Sequence, residues 1–243
     1  MCGRFTLRAS REVIAEQFSL LEVPPLSPRY NIAPRQPVGI VRAQVGVADA
    51  ADRSQGDWPE TPVAKMPFRQ LTFARWGLIP SWARDPAIGD RLINARAETL
   101  STKPAFRQAF RYRRCLIPAD GFYEWAREGN RKRPYFFRLP GDQLFAFAGL
   151  WDRWEGADHS VLETCTIITT EANDIVRPIH DRMPVILPPE AYDVWLDPQI
   201  TQPEKLVANL RPFSAEKLEV IPVGTWVNNP TFEDPRCILP AGK

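Results

Sequence analysis

Hydrophobic and polar positions along this chain come in short bursts, with few long helical waves. SREVIAEQF at 10–18 sets Val13, Ile14 and Phe18 on one face behind Ser10, a residue suited to capping, and predicts a short amphipathic helix. YNIAP at 30–34 reads as an ordered loop or a strand edge. VGIVR at 38–42 predicts a strand, and QLTFARWGLIPSW at 70–82 a strand running into a Pro-bounded turn. INARAETL and KPAFRQAFRYRR follow, with Pro104 suited to the first turn of a short helix. RCLIPADGFYEW, RPYFFRL, DQLFAFAGLW, LETCTIITT, MPVILP and LEVIPVG then read as strands separated by turns, with short helices over 189–197 and 203–210. Without regular βαβ alternation, this order predicts an α+β fold: a mainly antiparallel, barrel-like β-sheet core with a few short helices, in one domain spanning 1–243. Residues 43–67 lack periodicity and read as a surface excursion.

Composition changes this picture little. The 243 residues are 44% hydrophobic and 25% charged, enough apolar material for a core without staples. Twenty-five Pro against 13 Gly favour short strands and shaped loops. A net charge of +2 names no partner, but Arg heavily outnumbers Lys, and the planar guanidinium grips phosphate and stacks on bases. No stretch approaches the roughly 20 apolar residues of a membrane span, and the Arg-bearing N-terminus is unlike a signal peptide. The expectation is a monomer in the reducing cytoplasm, associated with the nucleoid when bound to damaged DNA. Two His and four scattered Cys offer no ligand spacing, so neither a metal nor any other cofactor is expected.

Cys115 and Cys165 lie in apolar runs and read as buried thiols, whereas Cys2 follows the initiator Met directly. A small second residue normally permits removal of Met1, leaving Cys2 with a free α-amine beside its thiol. An α-amine has a pKa of about 7.7–8.0, so roughly a quarter is neutral near pH 7.4, against ~0.1% for a Lys amine. Such an amine condenses with an aldehyde to a Schiff base. The thiol can then close a five-membered thiazolidine ring on the imine carbon, and Gly3 leaves room for a substrate near the backbone.

MCGRFT at 1–6, YNIAP, RWGLIPSWA at 75–83, INARAET at 93–99, CLIPADGFYEW at 115–125, FAFAGLW at 145–151, TTEAN at 169–173 and HDRMPVIL at 180–187 together resemble the SOS-response-associated peptidase family, whose members shield abasic sites. The ordered set spans most of the chain. The resemblance implies a thiazolidine link between Cys2 and the ring-opened sugar of an abasic site in single-stranded DNA, supported by Asn94, Glu124 and His180. Glu124, between Tyr123 and Trp125, sits where a carboxyl pKa would rise and suit proton exchange. His180 titrates near neutrality and would open the sugar ring by protonating its oxygen. Asn94 both donates and accepts, suiting it to fix the amine or a sugar hydroxyl; alternatively it is a turn or cap residue. His159 reads as exposed loop.

The partner so implied is single-stranded DNA containing abasic sites. Arg4, Arg96 and Arg182 lie beside Cys2, Asn94 and His180 and would rim the same site. Trp76 and Trp125 would stack bases or wedge a duplex end, and Pro34 would add a shaped apolar edge. The run Arg107, Arg111, Arg113, Arg114 reads as a solvated helix face. No base-reading set is evident, so recognition is expected to rest on backbone and lesion. Three other activities stay open: an N-terminal-nucleophile amidohydrolase using Cys2, peptidase action that includes self-removal of residues ahead of Cys2, and minor strand cleavage at abasic sites. A non-enzymatic Arg/Trp-rich nucleic-acid binder is the rival of a different class.

Overall fold

The computed structural model describes residues 2–44, 68–129 and 131–242. Its strands are β1 (Phe5–Leu7), β2 (Arg29–Ile32), β3 (Pro37–Gln44), β4 (Phe68–Trp76), β5 (Asn94–Arg96), β6 (Arg114–Ala119), β7 (Gly121–Glu128), β8 (Arg131–Arg138), β9 (Phe145–Glu155), β10 (Val161–Glu171), β11 (Arg182–Pro184), β12 (Ile186–Leu187) and β13 (Glu219–Pro222). The α-helices are α1 (Arg11–Phe18), α2 (Arg107–Tyr112), α3 (Tyr192–Leu196) and α4 (Pro203–Val207). The α+β class and the short-strand pattern hold. The 43–67 excursion lies outside the described residues except Ala43 and Gln44, which complete β3.

Strands β4, β3, β6, β9 and β10 pair in that order, and β10 also pairs with β4, which closes a five-stranded barrel. Closure removes the exposed edges an open sheet would leave. The β4–β10 pair is parallel, as is β5–β10, and the other barrel pairs are antiparallel, so the core is mixed but mainly antiparallel, as expected. The almost fully buried run of β9, FAFAGLW, fits a strand flanked on both sides, by β6 and β10. A second, wholly antiparallel sheet runs β13-β8-β7-β1-β2.

The chain passes from barrel to sheet at Asp120, between β6 and β7. Gly121 makes that corner possible, because a Cβ there would lie 2.2 Å from the Phe136 ring. The two layers meet on aromatic edges: Phe5 stands T-shaped on Trp76 at 5.3 Å and on Phe147 at 5.7 Å, and Phe122 reaches Phe147 at 6.2 Å. Each such side chain contributes about 2–3 kcal/mol by burial. Phe5 thereby ties the N-terminal segment into the core.

Ser10 caps α1 by accepting from the Val13 N–H. Ile14 and Phe18 form its buried stripe, but Val13 is 46% exposed, because the i, i+4 pair alone faces the core. The 107–114 run divides in the same way. Arg107 and Arg111 are exposed, whereas Arg113 pairs with Asp152 at 3.1 Å. Arg114 turns inward, only 5% exposed, and donates to the Phe110 and Trp195 carbonyls at 2.9 and 2.6 Å. It satisfies carbonyls left over at the ends of α2 and α3, a structural task.

Candidate functional site

Register delivers the N-terminus to the site. β1 pairs Phe5 with Phe122 and Thr6 with Gly121, and the Tyr123 N–H donates to the Arg4 carbonyl at 3.0 Å. Residues 2–4 therefore run on along Tyr123 and Glu124. Cys2 is fully buried, and its Sγ lies 3.7 Å from the Arg4 carbonyl as a weak donor. Burial, and then the Glu124 charge, push the Cys2 thiol far above its usual range.

Side chains alternate along β7, so Phe122 joins the core between the layers and Tyr123 joins the cluster on the outer face. Glu124 follows Phe122 inward and is 2% exposed. Burial raises its carboxyl to about 7, with a further push from the Asp181 charge.

Asn94 comes from β5, which lies parallel to β10 with Asn94 opposite Ile167. Its Nδ2 donates to the Cys2 carbonyl at 2.8 Å, across 92 positions of sequence. Its Oδ1 is buried with no hydrogen-bond partner among the described residues, leaving an acceptor next to Cys2. Asn94 is thus a strand residue that grips the N-terminal segment, and not a turn or cap.

His180 closes the turn before β11, where its N–H donates to the Val176 carbonyl at 2.9 Å. Its Nδ1 lies 3.0 Å from the Arg182 backbone N and 2.8 Å from Asp181 Oδ1. One protonation state cannot make both contacts: a neutral ring accepts from Arg182, and a protonated ring donates to Asp181. Burial lowers the His180 pKa while Asp181 raises it. Burial prevails, so the His180 pKa lies below its usual value.

The DNA-contact candidates divide. Arg4 is half-buried, donates to the Gly3 carbonyl at 2.9 Å, and lies beside Cys2. Arg96 is exposed at the end of β5. Arg182 is engaged: it makes a two-pronged pair with Glu98 at 2.7 and 2.9 Å and donates to the Thr169 carbonyl at 2.7 Å. A phosphate would have to share or displace Glu98. Pro34 is half-buried between β2 and β3. Trp125 is half-buried on the outer face, with its Nε1–H on Asn228 Oδ1 at 2.7 Å. Trp76 is a correction. It is fully buried, donates to the Ile93 carbonyl at 2.8 Å, and packs on Phe5, so it stacks on no base. The RWG stretch reads as a surface aromatic only until strand alternation turns Trp76 into the core.

Sequence reasoning passed over Glu98 and Asp181, the acidic partners of Arg182 and His180. The first lies two positions after Arg96 and the second directly after His180, so the available signal was a carboxylate beside a candidate cation. Cys115, Cys165 and Cys237 are free and buried, and His159 is 88% exposed, as expected for a loop residue. A cavity of about 590 Å³ lies elsewhere, lined by Arg42, Arg113, Trp151, Asp152 and Glu163. Arg42 pairs there with Glu163 at 2.9 Å and Arg113 with Asp152, and the cavity holds none of the candidate groups. Among the described residues no group of three His, Cys, Asp or Glu could hold a metal, and no helix is long and apolar enough to cross a membrane.

The sequence profile of the SOS response associated peptidase (SRAP) family matches residues 1–230. The abasic site processing protein YoqW of Bacillus subtilis is 42% identical over 242 residues, 98% of this chain and 99% of that protein. The abasic site processing protein HMCES of Gallus gallus is 32% identical over 237 residues, 88% of this chain and 66% of its own. A solved structure from Bacteroides thetaiotaomicron superposes with a TM-score of 0.66 at 33% identity, over 71% of this chain and 77% of that one. One from Bordetella bronchiseptica superposes with a TM-score of 0.70 at 26% identity, over 92% and 100%.

Proposed function

The chain belongs to the SOS response associated peptidase family, and from that premise we propose that it processes abasic sites in single-stranded DNA by bonding to them covalently through Cys2. The observation that carries this reading is the Asn94 grip on the Cys2 carbonyl beside a buried carboxyl whose pKa stands at about 7. A carboxyl so placed exchanges protons at neutral pH, the condition for catalysing addition and dehydration at a carbonyl.

Once residue 1 has been removed, the Cys2 α-amine attacks the C1 aldehyde of the opened sugar and an N–C1 bond forms. The carbinolamine loses its hydroxyl as water, with Glu124 supplying the proton, to give the imine. Cys2 Sγ then adds to C1, and its proton passes to the nitrogen as the thiazolidine closes. Atoms and electrons balance without an oxidant. To expose the aldehyde, His180 hands a proton to the ring oxygen as its bond to C1 breaks, and the C1 hydroxyl gives its own proton to solvent. Asn94 holds Cys2 in register, and its Oδ1 accepts from the amine or a sugar hydroxyl. Arg4, Arg96 and Arg182 meet the flanking phosphates.

Burial of the Cys2 thiol disfavours the free thiolate that an amidohydrolase or general peptidase would need, whereas it leaves an imine-trapping thiol intact. Trapping also outcompetes strand cleavage from the imine. The test is incubation with a single-stranded oligonucleotide carrying one abasic site, followed by a denaturing gel and intact mass. A lesion-dependent adduct at the mass of Met-less protein plus DNA minus water is expected. Met-less protein that forms no adduct refutes the covalent reading.

A further inference from the structure

The outer face of the second sheet carries a feature that this chemistry does not use. The segment after β13 folds back over β7 and β8 and is clamped there. Asn31 Nδ2 donates to the Asn229 and Phe232 carbonyls at 2.8 and 2.9 Å, and Glu233 accepts from the Asn31 N–H at 2.9 Å and from Arg29 Nε at 2.8 Å. On this clamped segment Trp226 is 50% exposed, yet packed on one side by other side chains. Its ring stacks on Phe232 at 5.0 Å and 21°, and the Arg236 guanidinium lies 4.8 Å from both ring centres, itself fixed to Asp234 at 2.8 Å. Beside it a groove of about 280 Å³ is lined by Trp125, Lys132 and Asn228. Exposed aromatic surface is costly in water, and backing it with two partners makes a platform for a flat ligand.

Charge identifies the occupant. The end of the β7–β8 hairpin carries Arg127, Arg131, Lys132 and Arg133 against Glu128, all exposed, and among the described residues only Arg133 pairs with that carboxylate, at 3.5 Å. Glu124 and Trp125 are neighbours on β7, the first facing the Cys2 site and the second lining the groove on the opposite face of the sheet. We propose that the groove and the Trp226 platform form a second contact surface for the single-stranded DNA flanking the lesion, with a base stacked on Trp226 and its phosphates against the cationic hairpin end. This rests on the reading of Cys2 as an abasic-site reagent and deepens it.

The test compares a short abasic oligonucleotide, with two nucleotides on either side of the lesion, against oligonucleotides extended by ten on one side or the other. Adduct formation is measured at limiting protein in low and moderate salt. For the unaltered protein, one extension should raise the apparent affinity by about tenfold, the scale of one stacked base plus phosphate contacts. Trp226→Ala and Lys132→Gln should each shrink that ratio several-fold, and Trp226→Phe should restore most of it. A ratio near one for the unaltered protein, or ratios unchanged in both variants, overturns the proposal. Lys132 is on the exposed hairpin end, so its arm stands even if Trp226→Ala misfolds. Failure of the Cys2 reading would look different: no lesion-dependent adduct on any oligonucleotide.

Discussion

Two carboxylates four residues apart, Asp120 and Glu124, are each 2% exposed, and they have opposite tasks. Asp120, at the corner where the chain leaves the barrel, accepts from Thr6 Oγ1 at 2.5 Å, from the Arg8 and Ala9 backbone N–H groups, and from Arg8 Nε at 2.9 Å. Donors and a cation surround it, and these contacts tie β1 to the sheet corner. Glu124 stands where burial prevails, and its carboxyl is pushed up to about 7. Equal burial therefore says little about function. What decides is which groups each carboxylate meets: Asp120 is spent on structural contacts, whereas at Glu124 burial outweighs the groups that would lower its pKa.

The sharpest break between the two regions is expected at the nucleophile. Cys2→Ala should abolish the adduct altogether, and Cys2→Ser should leave at most a hydrolysable imine, both read on a denaturing gel. Next in size, Asp120→Ala should cost about 3 kcal/mol of stability by leaving Thr6 Oγ1 and the Arg8 and Ala9 N–H groups without their acceptor, while Arg8 keeps its pair with Asp142. Its adduct yield per folded molecule should hold; a lost yield at preserved melting temperature would contradict the division of tasks. Glu124→Gln should do the reverse, slowing adduct formation by about 10²-fold with the fold intact and removing the inflection near pH 7 from the rate profile.

The same variant tests the electrostatics. Unfolded, Glu124 ionises above about 4.3, and folded, only near 7. Between those values the unfolded chain releases a proton that the folded chain keeps, so its contribution to stability is intact below about pH 4 and is lost as pH rises through 7. Denaturation at pH 5 and pH 8 should show Glu124→Gln relieving roughly 2–3 kcal/mol at the higher pH. The smallest effect belongs to the rim: Arg96→Ala should weaken DNA binding a few-fold and lower the salt slope by about one, whatever the sequence.

Much of this molecule was legible in its residues because strand and helix patterns are local. The β9 run, the Ser10 cap and the buried Cys115 and Cys165 follow from neighbours one to four positions away. Val13, Arg114 and Trp76 came out otherwise, because which face meets the core depends on what packs there. The site itself was legible only as chemistry. A thiol beside an α-amine, an aromatic-flanked carboxyl and a near-neutral imidazole are written in residue types.

Their meeting is not so written. Asn94 reaches Cys2 only because β5 lies parallel to β10, and Glu124 borders Cys2 only because β1 takes its register on β7. Register and barrel closure likewise decided that Trp76 faces inward, that Glu98 occupies Arg182, and that a C-terminal aromatic platform packs on the outer face of the second sheet. The sequence by itself determined the reagents, since the reactivity of a side chain begins with its atoms. Tertiary structure decided their pKa values and partners, since burial and contact are set by segments some 90 residues apart meeting across the two layers.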